Sequence, residues 1–193
     1  MTEYTTTDIR NVALVGHAGS GKTSLAEVLL HKAGAIASVG RVDKGSTTND
    51  FDVLEKKYQH SLEASIAAFH HDKCQINLID TPGARDFIGV TLGALSAGET
   101  VVGDVNAASG VEGTTRRMME SAKNANRCRM VVVNKVDVPG SDLAAVYDEI
   151  RDAFGGECLA VNLPANGALS LIHISEPTRR TPISYAVLGL KKK

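Results

Sequence analysis

Gly16-His17-Ala18-Gly19-Ser20-Gly21-Lys22-Thr23 is the stretch whose reading decides the fold. It has the form GxxxxGK[ST], and its flanks matter as much as its letters. Upstream, NVALVG at 11–16 is an apolar run of the kind that forms a buried strand. Downstream, Leu25, Val28 and Leu29 recur at helical spacing, and Gly34 closes that helix. A strand, a glycine-rich turn and a helix, in that order, make a cradle for phosphate oxygens. The glycines let successive backbone N–H groups turn inward, and the helix aims its positive end at the same point. Lys22 then reaches the outer phosphates of a bound polyphosphate, and the Thr23 hydroxyl is a ligand for Mg²⁺. Gly16, His17, Ala18, Gly19, Ser20, Gly21 and Ser24 form the rest of the binding wall. His17 is read as filling space within the cradle rather than as a catalytic group.

Working outward, apolar runs alternate with amphipathic ones, the pattern of an α/β domain. The polar stretch 40–55, with Gly45-Ser46-Thr47-Thr48-Asn49, reads as a long mobile loop. Residues 64–69 and 75–79 read as a hairpin turning through His70-His71-Asp72-Lys73. That turn is read as solvated rather than as a metal site. Segments 100–106 and 129–134 are further strands. Between them lies a helix over 114–126 with Arg116 and Arg117 outward. Residues 141–154 predict a helix capped by Ser141 or Asp142, and 158–163 one more strand. The predicted fold is α/β, a P-loop NTPase three-layer sandwich. Its sheet is mostly parallel with one antiparallel hairpin, and it is incomplete at the C-terminus.

Two further motifs follow strands. Asp80-Thr81-Pro82-Gly83 places a carboxylate, Asp80, where it can hold Mg²⁺ through water. Gly83 can offer its N–H to a γ-phosphate, so that the following segment responds when that phosphate leaves. Asn134-Lys135-Val136-Asp137 supplies a base reader. The Asp137 carboxylate can accept from guanine N1–H and from the 2-amino group. Adenine offers neither donor there and would leave the carboxylate unpaired. Lys135 lies along the base, and Asn134 ties loops together. The nucleotides expected are therefore GTP and GDP.

With three motifs in this order, residues 9–166 resemble the GTPase domain of elongation factor G, and more closely its elongation-factor-G-like relatives. The resemblance rests on GHAGSGKTSL, GRVDKGSTTNDFD, DTPGARDFIG, TRRMME and RMVVVNKVD. It implies a cytoplasmic switch that hydrolyses GTP and acts on the ribosome as part of a longer protein. It also implies that Ser61 stands where the family's switch threonine touches Mg²⁺, although the neighbouring RGIT pattern is absent. The family follows its DTPG motif with a water-orienting histidine, and here that position is Ala84. Positioning is most of what a GTPase contributes to phosphoryl transfer. The resemblance therefore leaves a second reading open, a guanine-nucleotide switch with little intrinsic hydrolysis, or an inactive fragment. Asp104 is anomalous, a carboxylate inside a strand that should be apolar. An edge position would be one way to accommodate it.

Composition agrees with a globular domain: 43% hydrophobic and 22% charged residues over 193 positions allow one well-packed core. Five of the 21 basic residues and one of the 22 acidic ones lie beyond residue 168. Residues 1–168 therefore carry 16 basic and 21 acidic side chains, net −5, which gives no support for general nucleic-acid affinity. Sequence-specific DNA and membrane partners are not expected. Cys74, Cys128 and Cys158 are too few and too scattered for a disulfide framework or a zinc site. The expected organisation is a flexible N-terminus at 1–8, a partial GTP-binding domain at 9–168, and a tail at 169–193. That tail, LSLIHISEPTRRTPISYAVLGLKKK, resembles translated sequencing adaptor held in one frame across two blocks and closed by a poly-A end. It is expected to be non-native, disordered and without functional contribution.

Overall fold

The computed structural model describes residues 4–156, 158–165 and 170–173. Five strands form the central sheet: β1 (Ile9–Gly16), β2 (Ser65–His71), β3 (Cys74–Asp80), β4 (Thr100–Asn106) and β5 (Cys128–Asn134). Their order is β2-β3-β1-β4-β5. β1 runs parallel to β3 and β4, and β4 parallel to β5. Only β2 is antiparallel, joined to β3 in a hairpin. β2 extends through His71, so the turn is shorter than predicted. Asp72 takes a left-handed conformation there (φ 50°), one that aspartate tolerates better than most residues. His70 is stacked on the Tyr4 ring with centroids 5.1 Å apart.

The inner strands are buried on both faces, which is why they read as continuous apolar runs. Successive residues alternate between two cores. Val15, Val101, Val105, Val131 and Val133 meet Met118 and Met119 of α4 (Gly113–Asn124) and Ile150 and Phe154 of α5 (Leu143–Phe154). Leu14, Leu78, Val102 and Val132 meet Leu25, Ala26 and Leu30 of α1 (Lys22–Lys32). A further helix, α3 (Ile88–Ala97), joins the first core through Leu95. Helices thus lie on both faces of the sheet, as a three-layer sandwich requires. Arg116 and Arg117 are exposed on α4. Asp142 caps α5 by accepting from the N–H groups of Ala144 and Ala145, both at 3.1 Å.

Three expectations are revised. The stretch 40–55 contains a 3-10 turn at Val42–Lys44 and the start of a helix, α2 (Val53–Tyr58). Asp52 and Glu55 form the capping box of α2, a signal lost in a polar, glycine-containing surround. Asp104 is not at an edge: β4 lies between β1 and β5, and the residue is fully buried. The last predicted strand begins later, as β6 (Asn162–Ala165), and pairs antiparallel with β7 (Ser170–His173) rather than with the main sheet. Cys158 is used instead to close α5, its carbonyl accepting from the Tyr147 hydroxyl at 3.3 Å. Residues 166–169 and 174–193, most of the predicted tail, lie outside the described residues.

Candidate functional site

The cradle forms where β1 ends and α1 begins, at the C-terminal edge of the parallel strands. Gly21 sits at φ 119°, a conformation that L side chains rarely adopt, and a Cβ there would strike the side-chain amide of Asn134. Lys22 is buried, and its ammonium donates to the carbonyls of Gly16 (3.0 Å) and His17 (2.8 Å). Burial pushes its pKa down, while Asp80, Asp104 and Glu112 counter that shift. His17 is fixed from outside the loop. Its backbone N–H donates to the Thr115 hydroxyl at 3.1 Å, and its Nε2 lies 2.9 Å from a Glu112 carboxylate oxygen. Ser24 is exposed on the first turn of α1.

Asp80 ends β3 fully buried, and among the described residues neither carboxylate oxygen makes a hydrogen bond of ordinary geometry. Burial raises its pKa to about 6; Thr23, Lys22 and Asn49 moderate the rise and Asp50 adds to it. The Thr23 and Ser61 hydroxyl oxygens stand 3.4 Å apart. Ser61 reaches that place because its hydroxyl donates to Asp50 at 2.7 Å. Next to it, Leu62 donates its N–H to the buried Glu55 carboxylate at 2.9 Å. Asp50, also buried, accepts from the Thr47 hydroxyl at 3.2 Å. Asp50 was not legible in the sequence, because nothing local distinguishes it in a polar loop, and Glu55 carries a local signal only as half of the capping box of α2.

The DTPG segment is clamped over the cradle. The Thr81 hydroxyl donates to the Leu14 carbonyl (2.6 Å), and the Thr91 hydroxyl to the Pro82 carbonyl (2.9 Å). Gly83 lies so close that an added Cβ would stand 2.5 Å from the Lys22 ammonium and 2.6 Å from the Ala18 nitrogen. Ala84 follows, lining the same cleft of about 210 Å³ together with Gly19, Thr23, Ser61 and Lys135. From β5, Lys135 takes a left-handed conformation (φ 58°) and donates from its ammonium to the Gly19 carbonyl at 2.6 Å. Asp137 is exposed in the turn after β5. The structure therefore brings Lys22, Thr23, Ser61, Gly83 and Lys135 around one cleft, with Asp80 buried beside Thr23 and Lys22. Asp80 and Asp137 both stand outside its lining.

Glu27, buried on α1, was also missed by sequence reasoning. Its carboxylate accepts from the N–H of Gly40 at 2.8 Å and from that of Thr48, tying the loop before α2 to α1. Its place on the helix would have assigned it to a solvated face. Among the described residues no group of three or more His, Cys, Asp or Glu side chains could hold a metal. Hydroxyls with a carboxylate, completed by phosphate oxygens and water, are the donor set of Mg²⁺ rather than of zinc. The buried Asp80 oxygens, which make no hydrogen bond of ordinary geometry among the described residues, fit such a cation.

A phosphate cradle, a clamped DTPG segment and an NKVD turn on this sheet define a P-loop GTP-binding domain. The chain matches the family model described as Elongation factor Tu GTP binding domain over residues 7–187, and it belongs to that family. It is similar to the elongation factor G-like protein of Mycobacterium tuberculosis, 34% identical over 161 residues, covering 83% of this chain and 22% of that protein. It is also similar to peptide chain release factor 3 of Nostoc punctiforme, 36% identical over 159 residues, covering 80% and 29%. A solved structure from Thermus thermophilus superposes with a TM-score of 0.79 at 38% identity, covering 85% of this chain and 24% of that one. The chain thus spans under a third of the length of these relatives. Among the described residues no helix is long and apolar enough to cross a membrane.

Proposed function

We propose that this chain binds GTP and GDP with Mg²⁺, as the nucleotide-binding part of a cytoplasmic translational GTPase that works on the ribosome. The observation that carries the reading is the convergence of Lys22, Thr23 and Ser61 on one cleft beneath Gly83, with Asp80 buried beside Thr23 and Lys22. Lys22 would leave the Gly16 and His17 carbonyls to neutralise the β- and γ-phosphates. Thr23, Ser61 and Asp80 would hold Mg²⁺, whose role is to offset phosphate charge as the bond to the γ-phosphate breaks. Gly83 would offer its N–H to the γ-phosphate. Lys135, already over the Gly19 carbonyl, would lie along the base, and Asp137 would read guanine. Ribosome contact and turnover are proposed from the relatives, two of which are named as an elongation-factor-like protein and a release factor.

Competition of a fluorescent GDP analogue with GTP, GDP and ATP tests this reading. GTP and GDP should displace it, with ATP at least about a hundred-fold weaker. Replacing Asp137 with Asn should erase that preference. Equal displacement by ATP would remove the guanine reading.

One observation favours slow hydrolysis: Ala84 lines the cleft where the resemblance expects a histidine, and its methyl group cannot orient water. Single-turnover hydrolysis by the chain should therefore be slow. Ala84→His should raise the rate by about 10²–10⁴-fold, the scale of a positioned general acid–base group. No gain would show that another group positions the water.

A further inference from the structure

Asp104 is a charged side chain that the proposed function does not use, and its placement is specific. It pairs in register with Gly16 of β1 and Val132 of β5, in the middle of the sheet. Two residues earlier on the same face, Val102 packs into the α1 core. Asp104 therefore points to the α1 side, but one pleat nearer the C-terminal edge, beneath the cradle. Its Oδ2 lies 3.6 Å from where a Cβ of Gly21 would be. It is fully buried, and neither oxygen makes a hydrogen bond of ordinary geometry among the described residues, although the Ser20 and Asn134 side chains stand close enough to favour its charged form. The Ser20 hydroxyl, also buried in the cradle, likewise makes no hydrogen bond of ordinary geometry among the described residues and faces Asp104. The groups that face Asp104 are few. The cradle and α1 contribute Ser20 and Lys22, and the end of β5 contributes Asn134 and Lys135. On β1 its register partner is Gly16, where a Cβ would lie 2.5 Å from the Asp104 carbonyl oxygen. The helix on the opposite face meets Gly103, where Met119 occupies the space a side chain would fill.

We propose that Asp104 sets the strength of the phosphate cradle by competing with the bound polyphosphate for the charge of Lys22. This rests on the reading of the cleft as a nucleotide site. A carboxylate buried at the centre of a sheet without a well-formed hydrogen bond is costly, and Lys22 is the largest of the groups that offset it. An arriving diphosphate draws Lys22 toward itself and brings negative charge against Asp104 in a water-poor setting. The conflict is relieved when Asp104 takes a proton from solvent, becoming neutral as the phosphates claim the lysine. Burial already raises the carboxyl to about 6 in the free protein, with Lys22, Ser20 and Asn134 opposing that rise. Bound phosphate raises it further, since like charge disfavours ionisation. Binding is therefore tightest below about pH 6 and weakens as pH rises above that value, until Asp104 is ionised in the complex as well.

The test compares the full chain with D104N, using the affinity of a fluorescent GDP analogue between about pH 5.5 and 8.5. Taking the ratio of the two proteins cancels titration of the phosphates and of Asp80. D104N should bind at least about ten-fold tighter near pH 8 and within about two-fold of the unmodified chain near pH 5.5, ten-fold being one pKa unit of coupling. A ratio that does not change with pH, or a D104N that binds more weakly near pH 8, overturns the proposal. Should D104N not fold, calorimetry of GDP binding to the unmodified chain answers the same question. In buffers of different ionisation enthalpy near pH 7, about where the free and bound forms differ in protonation, net proton uptake supports the proposal, and release or no change overturns it. If neither protein binds a guanine nucleotide at any pH, the nucleotide reading itself fails and this inference fails with it. Binding by both with parallel pH curves removes the inference alone.

Discussion

Asp104 shows what one residue can contribute to stability as well as to binding. Its carboxyl titrates at about 6 in the folded chain, against about 3.9 for an unstructured aspartate. Between those values the folded state holds more protons than the unfolded one, so the contribution of this group to stability falls as pH rises through that window and is constant above it. The difference is of order 2–3 kcal/mol at most. Urea unfolding of the chain and of D104N should show similar stabilities near pH 4, with the variant gaining up to about that amount near pH 7. A constant difference across pH would show that the carboxyl is not titrating in this window. The neighbouring Gly103 has a plainer reason. Met119 of α4 comes so near that a Cβ would lie 2.9 Å from its sulfur. The glycine is what lets the helix seat on the strand.

At the scale of elements, the polar stretch before β2 is organised by acids rather than by apolar packing. Glu27 on α1 holds the loop at Gly40 and Thr48, Asp50 holds Ser61, and Glu55 holds Leu62 and Glu63. Each carboxylate satisfies backbone or hydroxyl donors that a buried loop would otherwise leave unpaired. Glu27→Ala should cost about 1.5–3 kcal/mol, the range for hydrogen bonds to a charged group. In hydrogen exchange, the amides of Gly40 and Thr48 should lose most of their protection. If both amides exchange as slowly as before, the loop is held by something other than Glu27. Ser61 lies downstream of this framework, so if it holds Mg²⁺ as proposed, the same variant should also weaken the Mg²⁺ dependence of nucleotide binding.

Over the whole molecule, the β6–β7 pair forms a sheet of its own, separate from the five strands that carry the cleft. Two-stranded pairs are marginal by themselves and add little to a neighbouring core. We therefore expect removal of residues 170–193 to change the unfolding free energy by no more than about 1 kcal/mol and to leave GDP affinity intact. A large loss of either in the shortened chain would show that this segment supports the domain.

Sequence alone determined the α/β class, the hairpin and the position of the cradle. These depend on local signals: apolar runs long enough for strands, a 3.6-residue repeat for helices, and glycines spaced for phosphate contact. Lys22, Thr23, Asp80 and Gly83 were legible for the same reason, since each stands a fixed distance from a strand end. Tertiary structure decided what depends on residues far apart in the chain. Only the fold brings Ser61 within 3.4 Å of Thr23, a contact spanning 38 positions. Strand order alone moves Asp104 from an anomaly in β4 to a charge beneath Lys22. Likewise Glu27, on a helix position that looks solvent-facing, is buried because a loop folds back over it. A local motif reports the backbone path it needs, whereas a buried charge is explained only by the partner that the fold places against it.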